Sequence, residues 1–514
     1  MNNRTSNRTD YATFILLFVT IKIGLNFLAM SHFGFQRDEL LHLALGDHLD
    51  WGFKEVPPFI ALLAKISTAL FGDSVFATRI FSTLASGLII WFTGKIVVEF
   101  GGGKFAISLT CLALIFAPAF AASGYLFQPV VFDQLWWVLT VYLLARYINT
   151  SEPIYLYLLG AVVGVGLLTK YTMAFFAGAL IVSLLLTRQR KLLWNRHVAF
   201  AVLIAVLVFL PNILWQFKHH LPLITHMKNL REEQLNYIKP SDFIRQQLLV
   251  NGMALFVWLP GLIFLLFSSA LSKFRFIAFT YILVFVFLLE MNGKEYYLFG
   301  AYPMLFAAGG CCFELWLKPK HAAFRGIALF ILTLPNILLL PLALPLLPVD
   351  RTIAVFKAFH IAPKWEDQKE HPLSQDYADM FGWDEMGEKV ACAYSGLTPE
   401  QQKHTQLFAD NYGDAGAVYH YGKQYHLPEV ASLNSSFTLW APDSLNAHYI
   451  IYVDDQGGGN VIKRLAPYLQ KYVKLGEVKS PFAREKGTAI FLLINPKPGL
   501  NEIYQKELAK KRLE

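Results

Sequence analysis

The chain of 514 residues is 55% hydrophobic and only 16% charged, with a mean hydropathy of +0.41. Soluble globular proteins carry about a quarter charged residues, so the composition excludes an ordinary soluble enzyme and points to a membrane protein. The net charge of +8 does not argue for a nucleic-acid partner, because Lys and Arg here fall in short connections between apolar runs, where membrane proteins collect them.

Arg4 and Arg8 precede a first apolar stretch, 11–30, which resembles the basic and apolar regions of a signal peptide. Its length of about twenty residues and the absence of a small-x-small cleavage site predict an uncleaved first span. Further runs that can cross roughly 30 Å of hydrocarbon fall at 76–98, 105–122, 130–148, 154–169, 171–187, 198–217, 248–271, 274–291, 298–317 and 323–347. The expected fold is therefore a polytopic α-helical membrane protein of about eleven spans. The pair between Pro153 and Thr187 is short, with only 169–172 between its members.

Charge tests that count. With a cytoplasmic N-terminus, every inner connection is basic: Lys95 and Lys104, then Arg146, then Arg188, Arg190, Lys191 and Arg196, then Lys273 and Arg275, then Lys318, Lys320 and Arg325. The positive-inside rule is met only if 154–187 is split into two spans. Segments 31–75, 123–130, 218–247 and 292–297 then lie outside, together with the tail. Residues 1–349 are expected to form the transmembrane domain. Residues 350–514 are polar and mixed, with strand-like runs at 448–453 and 488–494 and a turn signal at Gly457–Gly459, and read as a soluble extracytoplasmic α/β domain. Cys111, Cys311 and Cys312 lie in apolar runs and Cys392 stands alone in the tail, so no disulfide framework is present.

The chemistry is expected in the outer segments. The first loop reads FQRDELLHLALGDHLDWGFKEVPPFIALLAKI. Asp38 and Glu39 open a helix-like run; adjacent acids at a helix start are commonly caps that complement its dipole. Their position at the end of the first span, where a buried acid is expensive and tends to have a task, makes a general base for an acceptor hydroxyl the alternative. Glu55–Pro58 (EVPP) leads into a second interfacial helix at 59–70. Lys54 before it is a phosphate contact or a snorkelling residue.

Asp133, in YLFQPVVFDQLWW, is an interfacial residue above an aromatic belt or a second functional acid. Lys294, Tyr296 and Tyr297, in NGKEYYLFGAYPM, are membrane anchors or groups that hold a lipid phosphate and offset charge on it as it leaves. The loop 218–247 adds Arg231 and three histidines. Adjacent His219 and His220 lack ligand spacing, so no metal site is assigned.

In this order and sidedness, QRDELLHLA, EVPPFIALLA, FDQLWW and KEYYLFGAYPM resemble the bacterial membrane glycosyltransferases related to the dolichyl-phosphate-mannose protein mannosyltransferases and the lipid A aminoarabinose transferase, with the GT-C fold. The resemblance covers about 11–348, with a weaker match at ADNYGDAGAVYHYG and LNSSFTLWAP. It implies an enzyme that transfers a sugar from a polyprenyl-phosphate donor to a lipid, glycan or protein acceptor at the outer face of the inner membrane. It further implies a base at Asp38, with Glu39 beside it and Asp133 as a further acid. The donor phosphate is expected on Lys54, Glu55, Arg231, Lys294, Tyr296 and Tyr297. The family's phosphate-binding Lys of the E-K-P-P element is Val56 here, and a proline frequent before the tenth span is Gly300. No resident cofactor follows; a divalent cation, Mg or Mn, is the one candidate auxiliary. The rival readings are a transporter or flippase of a lipid-linked sugar and a structural assembly protein. A transporter would show paired halves and mid-membrane polar groups, whereas no repeat is visible and the ionisable residues gather at one face.

Overall fold

The computed structural model describes residues 2–455 and 460–513; the expected turn at Gly457–Gly459 lies outside them. All eleven apolar runs are helical. Six helices are long and apolar enough to cross a bilayer, or up to eight if each of two bent pairs is one span. Shorter apolar helices occur at Phe59–Phe71, Lys104–Phe116 and Ile154–Thr169, so helix length alone does not settle the number of crossings. The chain divides into two compact units, one of residues 1–31, 79–215 and 227–347 and the other of residues 32–78, 216–226 and 348–514.

The first unit is a helical bundle whose breaks are chemically explained. The run expected at 105–122 stops at Ala117, because Pro118 has no N–H to continue it, and restarts as Pro118–Ser123. The unpaired carbonyls at the C-terminal end of so short a helix are costly in hydrocarbon. Lys22, 2% exposed, donates to the Phe120 carbonyl at 3.0 Å, and Asn26 donates to Ser86 Oγ at 3.0 Å and to the Gly124 carbonyl at 2.8 Å. The polar residues of the first helix thus satisfy the broken one. Elsewhere small residues let helices touch: a Cβ on Gly309 would lie 2.1 Å from the Val257 carbonyl, and one on Gly261 2.1 Å from that of Leu305. This seats Leu255–Phe267 directly on Tyr302–Trp316.

Side-chain contacts at the helix ends test the pattern of sidedness. At one end, Arg146 pairs with Glu99 at 2.8 Å and donates to Tyr155, Asn149 donates to Glu99 at 2.7 Å, Lys273 donates to Asn149, and Gln189 reaches the Lys273 carbonyl. Each of these joins connections that the charge rule assigned to one side. At the other end, Thr172 donates to Asp133 at 2.6 Å and Gln247 donates to the Glu295 carbonyl, again joining loops of one expected side. The doubtful pair resolves as two helices, Ile154–Thr169 and Thr172–Leu185, parted at an extended Lys170.

The second unit contains a five-stranded sheet formed by β1 (Thr405–Ala409), β2 (Val430–Ala431), β3 (Tyr449–Asp454), β4 (Leu469–Glu477) and β5 (Ala489–Pro496). Its order is β2-β1-β3-β5-β4; β1 runs parallel to β2 and β3, while β5 is antiparallel to β3 and β4. Leu407 lies level with both Val430 and Ile451, and one face of the sheet carries Ile450, Tyr452, Phe491 and Leu493 into an apolar core. The first loop folds with this tail. Its helix Arg37–Asp47 packs on Tyr412–Gly422, where a Cβ on Gly416 would stand 3.0 Å from Leu40 Cβ, and on Phe59–Phe71, where one on Gly46 would stand 2.9 Å from Ala64 Cβ.

Replacing Asn26 by Leu removes the donor to Gly124 without adding charge. The expected cost is about 1 kcal/mol, read as a lowered unfolding midpoint in mixed micelles; an unchanged midpoint would show that the bond contributes nothing.

Candidate active site

In the second unit, the first-loop acids have different fates. Gln36 caps the helix Arg37–Asp47 by accepting from Asp38 N at 2.8 Å, and Glu39 closes the box by accepting from Gln36 N at 2.8 Å. Glu39 is wholly buried, so its carboxylate serves as the cap. Asp38 instead turns outward from the helix start. Its Oδ1 accepts from the Tyr412 hydroxyl at 2.8 Å, and the Arg37 guanidinium lies 4.4 Å from the centre of the Tyr412 ring.

Burial and the Asp38 charge hold the Tyr412 phenol far above its usual range, so it remains a proton donor to Asp38 at any physiological pH. Behind Arg37, burial raises the Asp379 carboxyl to about 7 although Arg484 stands 3.3 Å away. Tyr412 was reachable only through the tail motif ADNYGDAGAVYHYG, and nothing in sequence spacing connects it to a residue 374 positions earlier.

The EVPP turn is anchored rather than open. Lys54, 9% exposed, donates through its ammonium to the Lys511 carbonyl and to Thr438 Oγ1, and its backbone N–H donates to Ser436 Oγ at 3.0 Å. The Glu55 Oε2 atom accepts from Ser436 Oγ at 2.7 Å, while the buried Oε1 has no hydrogen-bond partner. The tail motif LNSSFTLWAP therefore supplies the turn's partners, and the Lys54 ammonium is committed to the chain itself.

In the first unit, Asp133 starts the helix Pro129–Thr150. Buried to 5% exposure, it accepts from Trp137 Nε1 at 3.0 Å and Thr172 Oγ1 at 2.6 Å. Lys170 at the break after Thr169 shares its electrostatic surroundings with both Asp133 and Lys294. Its ammonium lies 4.7 Å from the centre of the Tyr296 ring and 5.0 Å from that of Tyr297, and Lys294 lies 6.0 Å from the Tyr296 ring. The structure thus gathers Asp133, Lys294, Tyr296 and Tyr297 and adds Lys170. Sequence reading passed over Lys170 because it sits in a connection of only two residues between apolar helices; an isolated lysine in so short a break was the available signal. Arg231 is exposed on the helix Pro222–Glu233.

Two lysines and two phenols gathered at one place suit a phosphate, and the Asp133 carboxylate fixes its neighbours Trp137 and Thr172 in place. The Asp38–Tyr412 pair suits proton transfer, since an acid that already accepts one directed hydrogen bond is held in one orientation.

The chain is similar to known proteins both in sequence and in backbone course. The family described as dolichyl-phosphate-mannose-protein mannosyltransferase matches residues 55–215. Lipid A galacturonosyltransferase RgtD of Rhizobium johnstonii is 28% identical over 243 residues, 46% of this chain and 49% of that protein, so the chain spans about half the length of this curated relative. ArnT from Cupriavidus metallidurans in its apo state superposes with a TM-score of 0.65 at 15% identity, over 94% of this chain and 98% of that one. The same protein bound to undecaprenyl phosphate gives 0.63 at 15% identity, over 93% and 97%. A shared backbone course over nearly the whole length gives this multi-pass membrane protein the fold of ArnT, and its sequence similarity to the mannosyltransferase family lies within residues 55–215.

Proposed function

We propose that this chain transfers a sugar from a polyprenyl-phosphate carrier to an acceptor hydroxyl, with inversion at the anomeric carbon, on the extracytoplasmic face of the inner membrane. The observation that carries the reading is the group of Lys170, Lys294, Tyr296 and Tyr297 beside Asp133 at one end of the helical bundle. A phosphate whose lipid tail stays in the bilayer meets positive charge there. That one structural neighbour is a complex with undecaprenyl phosphate supports the carrier, and the name of the sequence relative, a lipid A galacturonosyltransferase, favours a lipid acceptor.

In this reading the acceptor oxygen attacks the anomeric carbon while the bond from that carbon to the phosphate oxygen breaks, and Asp38 takes the acceptor proton. The leaving polyprenyl phosphate keeps its electron pair, and the two lysines and the phenols offset its charge. Phosphate is already a competent leaving group, so alignment and charge compensation, each able to supply about 3 to 10 kcal/mol, are what the protein adds. The N-terminus is assigned to the cytoplasm and residues 350–514 to the opposite side, from the basic connections.

Asp38→Asn is expected to lower kcat by about 10²- to 10⁴-fold while the protein stays monodisperse; full turnover would remove the base from Asp38. Tyr412→Phe keeps the ring under Arg37 and loses only the hydroxyl bond, for an expected drop of about tenfold. Lys170→Met and Lys294→Met are each expected to weaken polyprenyl phosphate binding on the order of tenfold, measured by titration into detergent-solubilised protein, and equal binding by both variants would refute the phosphate assignment. On a Cys392→Ser background, an impermeant thiol reagent should label Asp50→Cys from outside intact cells and spare Gln189→Cys. The reverse pattern would invert the assigned topology.

A further inference from the structure

The tail carries a second group of acids that the transfer reaction does not use. Asp410 directly follows β1, Asp454 ends β3 and Asp455 follows it; one carboxylate oxygen of each lies within 4.8 Å of those of the other two. Their position has a topological cause. From β1 the chain passes through the helix Tyr412–Gly422 to β2 on one side, whereas β3 lies on the other. Parallel strands whose connections depart in opposite directions leave a crevice at their carboxyl ends, the usual ligand position in open α/β sheets.

An independent feature points into that crevice. Asp414, in the first turn of the helix, is wholly buried, and its Oδ1 has no hydrogen-bond partner. Its Oδ2 accepts from the Asn411 amide at 2.9 Å, and the same amide reaches Asp455 at 3.4 Å, so the Asp414 carboxyl faces the trio. Asp410 receives the Tyr452 hydroxyl on one oxygen and nothing on its other, buried one.

The charges around the group are Glu485 and two arginines. Of these, Arg37 lies against the helix start, where a Cβ on Gly413 would meet its Nε at 2.6 Å, and Arg484 is engaged with Asp379 and Glu366. Both guanidinia near these carboxyls are thus shared with other groups, since Arg37 also lies over the Tyr412 ring.

We propose that Asp410, Asp454 and Asp455, backed by Asp414, form a site for a hard divalent cation, calcium in preference to magnesium. Carboxylate oxygens alone select hard ions over zinc or copper. Magnesium dehydrates reluctantly and is ordinarily held by one or two carboxylates, whereas calcium accepts several protein carboxylates at once. The cation would neutralise the acids and tie the end of β1 to the end of β3. The auxiliary Mg or Mn expected from the sequence would here become a structural ion of the tail, and this inference stands whether or not the sugar-transfer reading does.

The test uses full-length protein in detergent, stripped with chelator and titrated with terbium, which replaces calcium and is excited through a nearby tyrosine such as Tyr452. Saturable emission, displaced by calcium chloride at far lower concentration than by magnesium chloride, is expected. Asp455→Asn should weaken binding on the order of tenfold or more through loss of one ligand charge, and Asp410→Asn likewise, with Asp443→Asn on the exposed surface as the unaffected control. No sensitised emission in the native protein, or equal affinity in Asp455→Asn, overturns the site. Should Asp410→Asn fail to fold, Asp455→Asn decides alone.

Discussion

Hydrocarbon tolerates neither loose charge nor an unpaired backbone carbonyl, and the architecture follows from that intolerance. The bilayer drives Lys and Arg to the helix ends, where Arg146, Glu99, Asn149 and Lys273 collect in one network while Asp133, Thr172 and Lys170 collect in another. The few polar groups that stay within the spans have partners that could not otherwise be satisfied. Lys22 and Asn26 answer carbonyls at the C-terminal end of the short helix Pro118–Ser123. Function uses the same rule from the other side, since a cation and phenols held at a helix end form the sort of place where a lipid-borne phosphate is stabilised.

The second unit solves a different problem. A loop of 47 residues between spans, 32–78, would be mobile by itself; here its helix Arg37–Asp47 is fixed by packing against Tyr412–Gly422, and its EVPP turn by hydrogen bonds to Ser436, Thr438 and Lys511. The tail is therefore part of what orients Asp38, through the Tyr412 hydroxyl. A carboxylate steadied by a phenol that cannot ionise keeps one orientation across the physiological pH range.

The fold class was legible in the sequence, because hydropathy is a one-dimensional quantity that the membrane reads directly. All eleven apolar runs became helices, and the split at 169–172 followed from charge alternation alone. The candidate acids Asp38 and Asp133 and the Lys294–Tyr297 group were visible for the same reason: polar residues stand out against apolar flanks. Partnerships were not visible. That Glu39 caps its helix while Asp38 meets Tyr412, that Lys54 is committed to Lys511, and that Lys170 joins Lys294 across more than a hundred residues are decided by packing, which brings together residues whose separation along the chain carries no signal. The sequence by itself determined which stretches would become apolar helices; only the tertiary structure decided which charges would meet, because a hydrogen bond depends on distances of a few ångströms that hydropathy does not encode.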